Sequence, residues 1–79
     1  MLVVYPNPVT DWLTIRRQKG MPGEIALLDL NGRLVLRSEW ESYLKSIDLS
    51  AVSNGFYVLR VSSQGIIHHY KISKQTSKR

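Results

Sequence analysis

The feature that most constrains this chain is its rhythm. Short apolar runs are separated by turn-forming residues roughly every eight to twelve positions, the spacing of an all-β sandwich or barrel. No long stretch carries the 3.6-residue apolar period of an amphipathic helix. Predicted strands cover Leu2–Tyr5, Trp12–Arg17, Glu24–Leu30, Arg33–Trp40, Tyr43–Leu49, Phe56–Ser62 and Gly65–Ser73.

The breaks between these runs have a physical cause. Pro6 and Pro8 each fix φ and remove an N–H donor, and each pushes the residue before it, Tyr5 and Asn7, towards extended backbone. Gly20-Met21-Pro22-Gly23 reads as a loop. Asn31-Gly32 between two apolar runs predicts a type I′ hairpin turn, which needs φ > 0 at both central residues. Asn54-Gly55 and Gln64-Gly65 are further turns. The segment from Ile47 to Ser50 is expected to hold a short helical turn, with Asp48 or Ser50 as its cap.

Successive strand residues point to opposite faces, so a period-two reading picks out the core. Leu13 and Ile15 share a face, as do Ile25 and Leu27, and Leu34, Leu36 and Trp40. Tyr57, Leu59 and Val61 point one way, and Phe56, Val58 and Arg60 the other. The third and sixth strands are apolar on both faces in places (Leu27-Leu28, Tyr57-Val58), which predicts central positions or one face covered by a neighbour. On the last strand the face with Ile66, Tyr70 and Ile72, which also holds His68, is expected to turn inward.

A chain of 79 residues is one domain at most. At this size, folding buries only about 60–65% of the surface that the unfolded chain exposes. The chain has no cysteine, so its core works without a disulfide. No run approaches the ~20 apolar residues of a membrane-spanning helix. Met1 to Tyr5 is too short for a signal peptide and breaks at Pro6. The net charge of +5 is unevenly spread. All six acids lie between Asp11 and Asp48, where six basic residues balance them. Beyond Asp48 there are only bases: Arg60, Lys71, Lys74, Lys78 and Arg79. A one-sided field of this kind steers an acidic partner, or it simply solvates a tail.

Little else in the chain suggests chemistry. His68 and His69 are strand neighbours that point to opposite faces, so they cannot readily chelate one ion, and no ligand set surrounds them. There is no Gly-x-Ser-x-Gly elbow and no glycine-rich phosphate loop, so neither catalysis nor a cofactor is expected. Trp12, Trp40, Tyr43 and Tyr5 could make an aromatic platform for sugar, although such residues at strand ends are more often the rim of the core. The basic end carries a single aromatic, Tyr70, which argues against nucleic acid. Open sheet edges invite partner strands unless they are charged or covered, and Lys71 and Lys74 would guard the last one.

Three phrases follow one another in order. Tyr5-Pro6-Asn7-Pro8 comes first, then Asn31-Gly32-Arg33-Leu34-Val35, then Asp48-Leu49-Ser50 with Gly55-Phe56-Tyr57-Val58-Leu59-Arg60-Val61. A glycine turn at Gly65 and a basic strand, Tyr70-Lys71-Ile72-Ser73-Lys74-Gln75, close the chain. Each phrase alone is ordinary, but the ordered set resembles the type A C-terminal sorting domain of the type IX (Por) secretion system. The resemblance runs from about Leu2 to Gln75, with Thr76–Arg79 extending beyond it as a basic tail.

The resemblance implies an immunoglobulin-like β-sandwich of about seven antiparallel strands. It also implies a non-enzymatic signal that carries an upstream cargo from the periplasm across the outer membrane. A sortase-like protease then removes the domain, and the cargo is released or anchored to surface lipopolysaccharide. Cargo and export signal are expected upstream of Met1. The resemblance places recognition by the machinery on the last strand, at Tyr70, Lys71, Ile72 and Lys74. Tyr5, Pro6, Asn7, Pro8, Asn31, Gly32, Gly55 and Tyr57 are expected as the structural residues of the motifs. The alternative is an accessory module that binds carbohydrate or a cell surface. A weak or strand-exchanged homodimer is compatible with the open edges.

Overall fold

The computed structural model describes residues 2–17 and 22–76. Seven strands follow in chain order: β1 (Leu2–Tyr5), β2 (Trp12–Arg17), β3 (Gly23–Leu28), β4 (Leu34–Trp40), β5 (Leu44–Asp48), β6 (Gly55–Ser63) and β7 (Ile66–Lys74). They form two antiparallel sheets, β1-β2-β5 and β4-β3-β6-β7. This is the expected immunoglobulin-like sandwich, with one difference from the constant-domain arrangement: strand four pairs with strand three and not with strand five. The two strands that are apolar on both faces, β3 and β6, are the inner strands of the four-stranded sheet.

The core lies between the sheets. Leu13 and Ile15 from β2, Ile25 and Leu27 from β3, and Leu59 and Val61 from β6 are all buried, as the period-two reading requires. Trp40 and Ile47 join them, as do Val9 and Leu49 from the loops. At the end of the sandwich away from Val9, the Arg17 guanidinium lies 3.7 Å over the Trp40 ring and bonds the Ser42 carbonyl and the Ser63 hydroxyl. Burial lowers the pKa of this guanidinium from its ordinary value.

Three local expectations need correction. Leu34 does not share the inward face with Leu36 and Trp40. Leu36 pairs with Leu27 but Leu34 pairs with Leu28, so Val35 is an extra residue in a bulge. The bulge reverses the parity of the strand and leaves Leu34 56% exposed. The Asn31-Gly32 turn is not type I′. Gly32 has φ +85° but Asn31 does not have positive φ. The Asp29 carbonyl accepts from Gly32 N–H, Asp29 N–H donates to the Arg33 carbonyl, and the Asp29 carboxylate accepts from the Asn31 and Arg33 amides. This is the longer hairpin loop, with a single left-handed glycine. The type I′ pattern occurs instead at Gln64-Gly65, where φ is positive at both residues. Finally, no helix forms after Ile47. Asp48 accepts the Ser50 amide, and one turn closes from Val52 N–H to the Leu49 carbonyl.

The loop expected at Gly20-Met21-Pro22-Gly23 lies mostly outside the described residues, as does the tail beyond Thr76.

Candidate functional site

The phrases picked out in the sequence gather at one end of the sandwich. β3 reaches this end at Leu28, β6 starts there at Gly55 and β7 finishes there at Lys74, as the pairs Leu28–Val58 and Gly55–Lys74 require. The Asp29–Arg33 turn and the Leu49–Asn54 connection lie here too, and so does the loop between β1 and β2, through its contact with β7.

That contact joins the first phrase to the last strand. The Asn7 side-chain amide donates to the Lys71 carbonyl at 2.9 Å, and its oxygen accepts from Ser73 N–H at 3.0 Å. One residue past Pro8, Val9 N–H donates to the Ser73 carbonyl and the Val9 carbonyl accepts from Gln75 N–H, both at 2.9 Å. Asn7 and Val9 together therefore occupy four successive outward backbone groups of β7, from the Lys71 carbonyl to the Gln75 amide. Both X–Pro bonds of the phrase are cis. Val9 is fully buried and anchors this clasp in the core.

The third phrase supplies the other half. Gly55 opens β6 with φ +144°. Two residues on, the Tyr57 hydroxyl donates to the Ser53 carbonyl at 2.7 Å. A tyrosine near the start of the sixth strand, bonded back to the backbone just upstream, is the tyrosine corner of immunoglobulin-like sandwiches. The Thr76 hydroxyl reaches the Asn54 side chain at 2.7 Å, so the chain past β7 is tied to the same corner.

The four last-strand residues separate into two pairs. Tyr70 is half-buried and stacks on His68, while Lys71 is exposed with its ammonium 5.0 Å from the Phe56 ring centroid. Ile72 is fully packed. Lys74 was expected to guard an edge but is only 5% exposed: it follows Ile72 on the inward face, and its ammonium meets the Gln75 carbonyl at 3.5 Å. The period-two reading that turned Tyr70 and Ile72 inward carries Lys74 with them.

The four aromatics of the sugar platform do not assemble. Trp40 is buried, and Tyr43 lies at the far end, next to β5. Only Tyr5 and Trp12 share a surface, the outer face of the three-stranded sheet, where Tyr5 sits opposite Thr14 and Trp12 opposite Asp48. His68 and His69 pair with Val61 and Arg60 and so point to opposite faces. Among the described residues, no three His, Asp or Glu side chains gather as a metal site would need.

A family model described as the secretion system C-terminal sorting domain, the Por secretion tail, matches residues 3–75. The chain belongs to that family. It is a type IX secretion sorting signal, and membership implies a secreted or cell-surface parent that meets the type IX machinery. No curated protein is similar enough to the sorting domain to count as a relative. The match spans the clasp, the tyrosine corner and β7 together, the three parts that the fold brings to one end.

Sequence reasoning missed Val9 and Ser53. Val9 looks like a linker residue, and the role of Ser53 is carried by its backbone. A tyrosine two residues into the sixth strand could have signalled the corner.

Proposed function

We propose that residues 2–75 form a non-enzymatic sorting domain whose motif end is the surface the type IX machinery reads. The observation behind this reading is the clasp: the first and last phrases of the family pattern are hydrogen-bonded to each other through Asn7 and β7. Tyr70 and Lys71 present the recognition surface. Ile72 and Lys74 act from inside, seating the strand. An upstream cargo passes through the periplasm and across the outer membrane, and a sortase-like protease cuts at or before Leu2. The cargo is then released or joined to surface lipopolysaccharide.

A secretion assay tests this. Residues 1–79 are fused behind a periplasm-directed fluorescent reporter in a host with the type IX machinery and in a translocon-null strain. Reporter outside the wild-type cells alone supports the reading. Reporter held in the periplasm of both strains, with the domain folded and Thr76–Arg79 deleted as well as present, refutes it.

A second reading, carbohydrate binding, is favoured by one observation: Trp12 and Tyr5 are 57% and 41% exposed on a common face. A glycan array with wild type and Trp12→Ala tests it. The open edges also allow a weak homodimer, which sedimentation at rising concentration would reveal.

A further inference from the structure

In β7 the outward backbone groups belong to the odd-numbered residues, since Lys71, Ser73 and Gln75 bond away from β6. The even-numbered residues face β6 through the pairs Tyr57–Ile72, Leu59–Tyr70 and Val61–His68. The clasp takes the outward groups from the Lys71 carbonyl onwards. Among the described residues nothing takes the N–H and C=O of Ile67 and His69 or the N–H of Lys71, which follow one another along the edge. An edge of this kind is a template for a further strand.

The other three edges suit a partner strand less well. β4 carries the bulge at Val35 and an acid, Glu39. β5 ends on Asp48, and β1 is four residues long with no charge. Neither β6 nor β7 contains an acid. The open part of β7 is flanked by Lys71, and on the same outer face Arg60 stands beside His69. Ile66 and Ile67, 61% and 57% exposed, add apolar surface at its start. The outer face of the open segment therefore carries Lys71 with Arg60 close by, and the inner face carries Ile66 and Tyr70, so a strand added along this edge meets cations on one face and apolar groups on the other. A second copy paired antiparallel about His69 would set each Lys71 opposite an Ile67 and offer it no acid, whereas an acidic strand would complement it.

We propose that the edge from Ile67 to Lys71 binds an extended peptide segment of alternating apolar and acidic residues by strand addition, with the clasp at Asn7 and Val9 setting its limit. The segment spans about five residues, the length of the open edge. This deepens the sorting reading by naming the chemistry of the partner, and it rests on that reading only for where such a partner is found.

The test uses the full chain, isotopically labelled, and an end-blocked hexapeptide of alternating valine and glutamate. The same peptide with lysine for glutamate is the control. The expected result is saturable binding in which the Ile67, His69 and Lys71 amides become protected from solvent exchange while those of His68, Tyr70 and Ser73 do not change. The glutamate peptide binds at least about tenfold more tightly than the lysine one. His69→Pro removes an outward donor that the β6 ladder does not use, a position where an edge strand tolerates proline, and it abolishes binding. If His69→Pro does not fold, Lys71→Glu carries the test by weakening the glutamate peptide and strengthening the lysine one. The proposal is overturned by equal binding of the two peptides, by protection elsewhere, by no saturable change, or by self-association through the same amides. A domain that exports cargo but ignores the glutamate peptide overturns this inference alone. One that binds the peptide but exports nothing overturns the sorting reading alone.

Discussion

Asn7 accepts a hydrogen bond from the backbone amide of Ser73, 66 positions later in the chain. With its second bond, to Lys71, the side chain imitates a β-bridge and closes the strand edge next to it. A short amide side chain held between two prolines does what an eighth strand would otherwise do.

Asn7→Ala removes both bonds and leaves Val9 to hold the clasp. Each is an exposed hydrogen bond, so the loss is modest, about 1 kcal/mol in all. Hydrogen exchange should report it most directly: the Ser73 amide is expected to lose protection first, while that of Ile72, bonded to β6, keeps it.

The bond from the Tyr57 hydroxyl to the Ser53 carbonyl is part-buried. Tyr57→Phe leaves the ring in the core and orphans that carbonyl. The expected cost is about 1 kcal/mol, a fall of roughly 5 °C in melting temperature for a domain of this size, measured by thermal circular dichroism.

At Gly55 a Cβ meets no atom within 4 Å, so the cost of substitution lies in the backbone alone. With φ at +144°, any side chain is strained. Gly55→Ala is expected to destabilise by about 1–2 kcal/mol, and Gly55→Val, being β-branched, by more. Equal denaturation midpoints for wild type and both variants would contradict this.

Lys71 and Lys74 should behave differently although both are basic and lie on one strand. Lys71→Glu changes an exposed group and leaves the melting temperature nearly unchanged, while export of a fused reporter falls. Lys74→Glu places a shorter, anionic side chain where the ammonium now meets a carbonyl, at a position only 5% exposed, and costs about 2 kcal/mol or more. Lys74→Met, which keeps the apolar stem, restores most of that stability. If the melting temperatures of the two glutamate variants coincide, the inward placement of Lys74 is wrong.

Two carboxylates give the fold an acid-sensitive component. The Asp29 carboxyl is held below its ordinary pKa, chiefly by the Arg33 amide and further by Asn31 N–H and the Arg33 side chain; that of Asp48 is held down by Ser50. A pKa depressed in the folded state means that the ionised form is the one the fold favours. The stabilisation is fully present above the unfolded value of about 3.9 and is lost as pH falls through the lower folded values. Carboxyl NMR titration should place both midpoints below that of an Asp in an unstructured peptide, and Arg33→Ala should raise that of Asp29.

The seven strands, their order along the chain and the central pair were legible from the residues, because a strand alternates its side chains and a turn needs glycine, proline or asparagine. Both are local properties, and β1 and β2 fall on their predicted residues for that reason. The family was legible too, since its phrases are local. Tertiary structure decided what one residue can reverse. The extra residue at Val35 turned Leu34 outward, and only the pairing of β4 with β3 shows that it is extra. The joining of Asn7 to β7, and the open edge this leaves at Ile67 to Lys71, depend on the return of the chain to the same place after more than sixty residues, which no local pattern encodes.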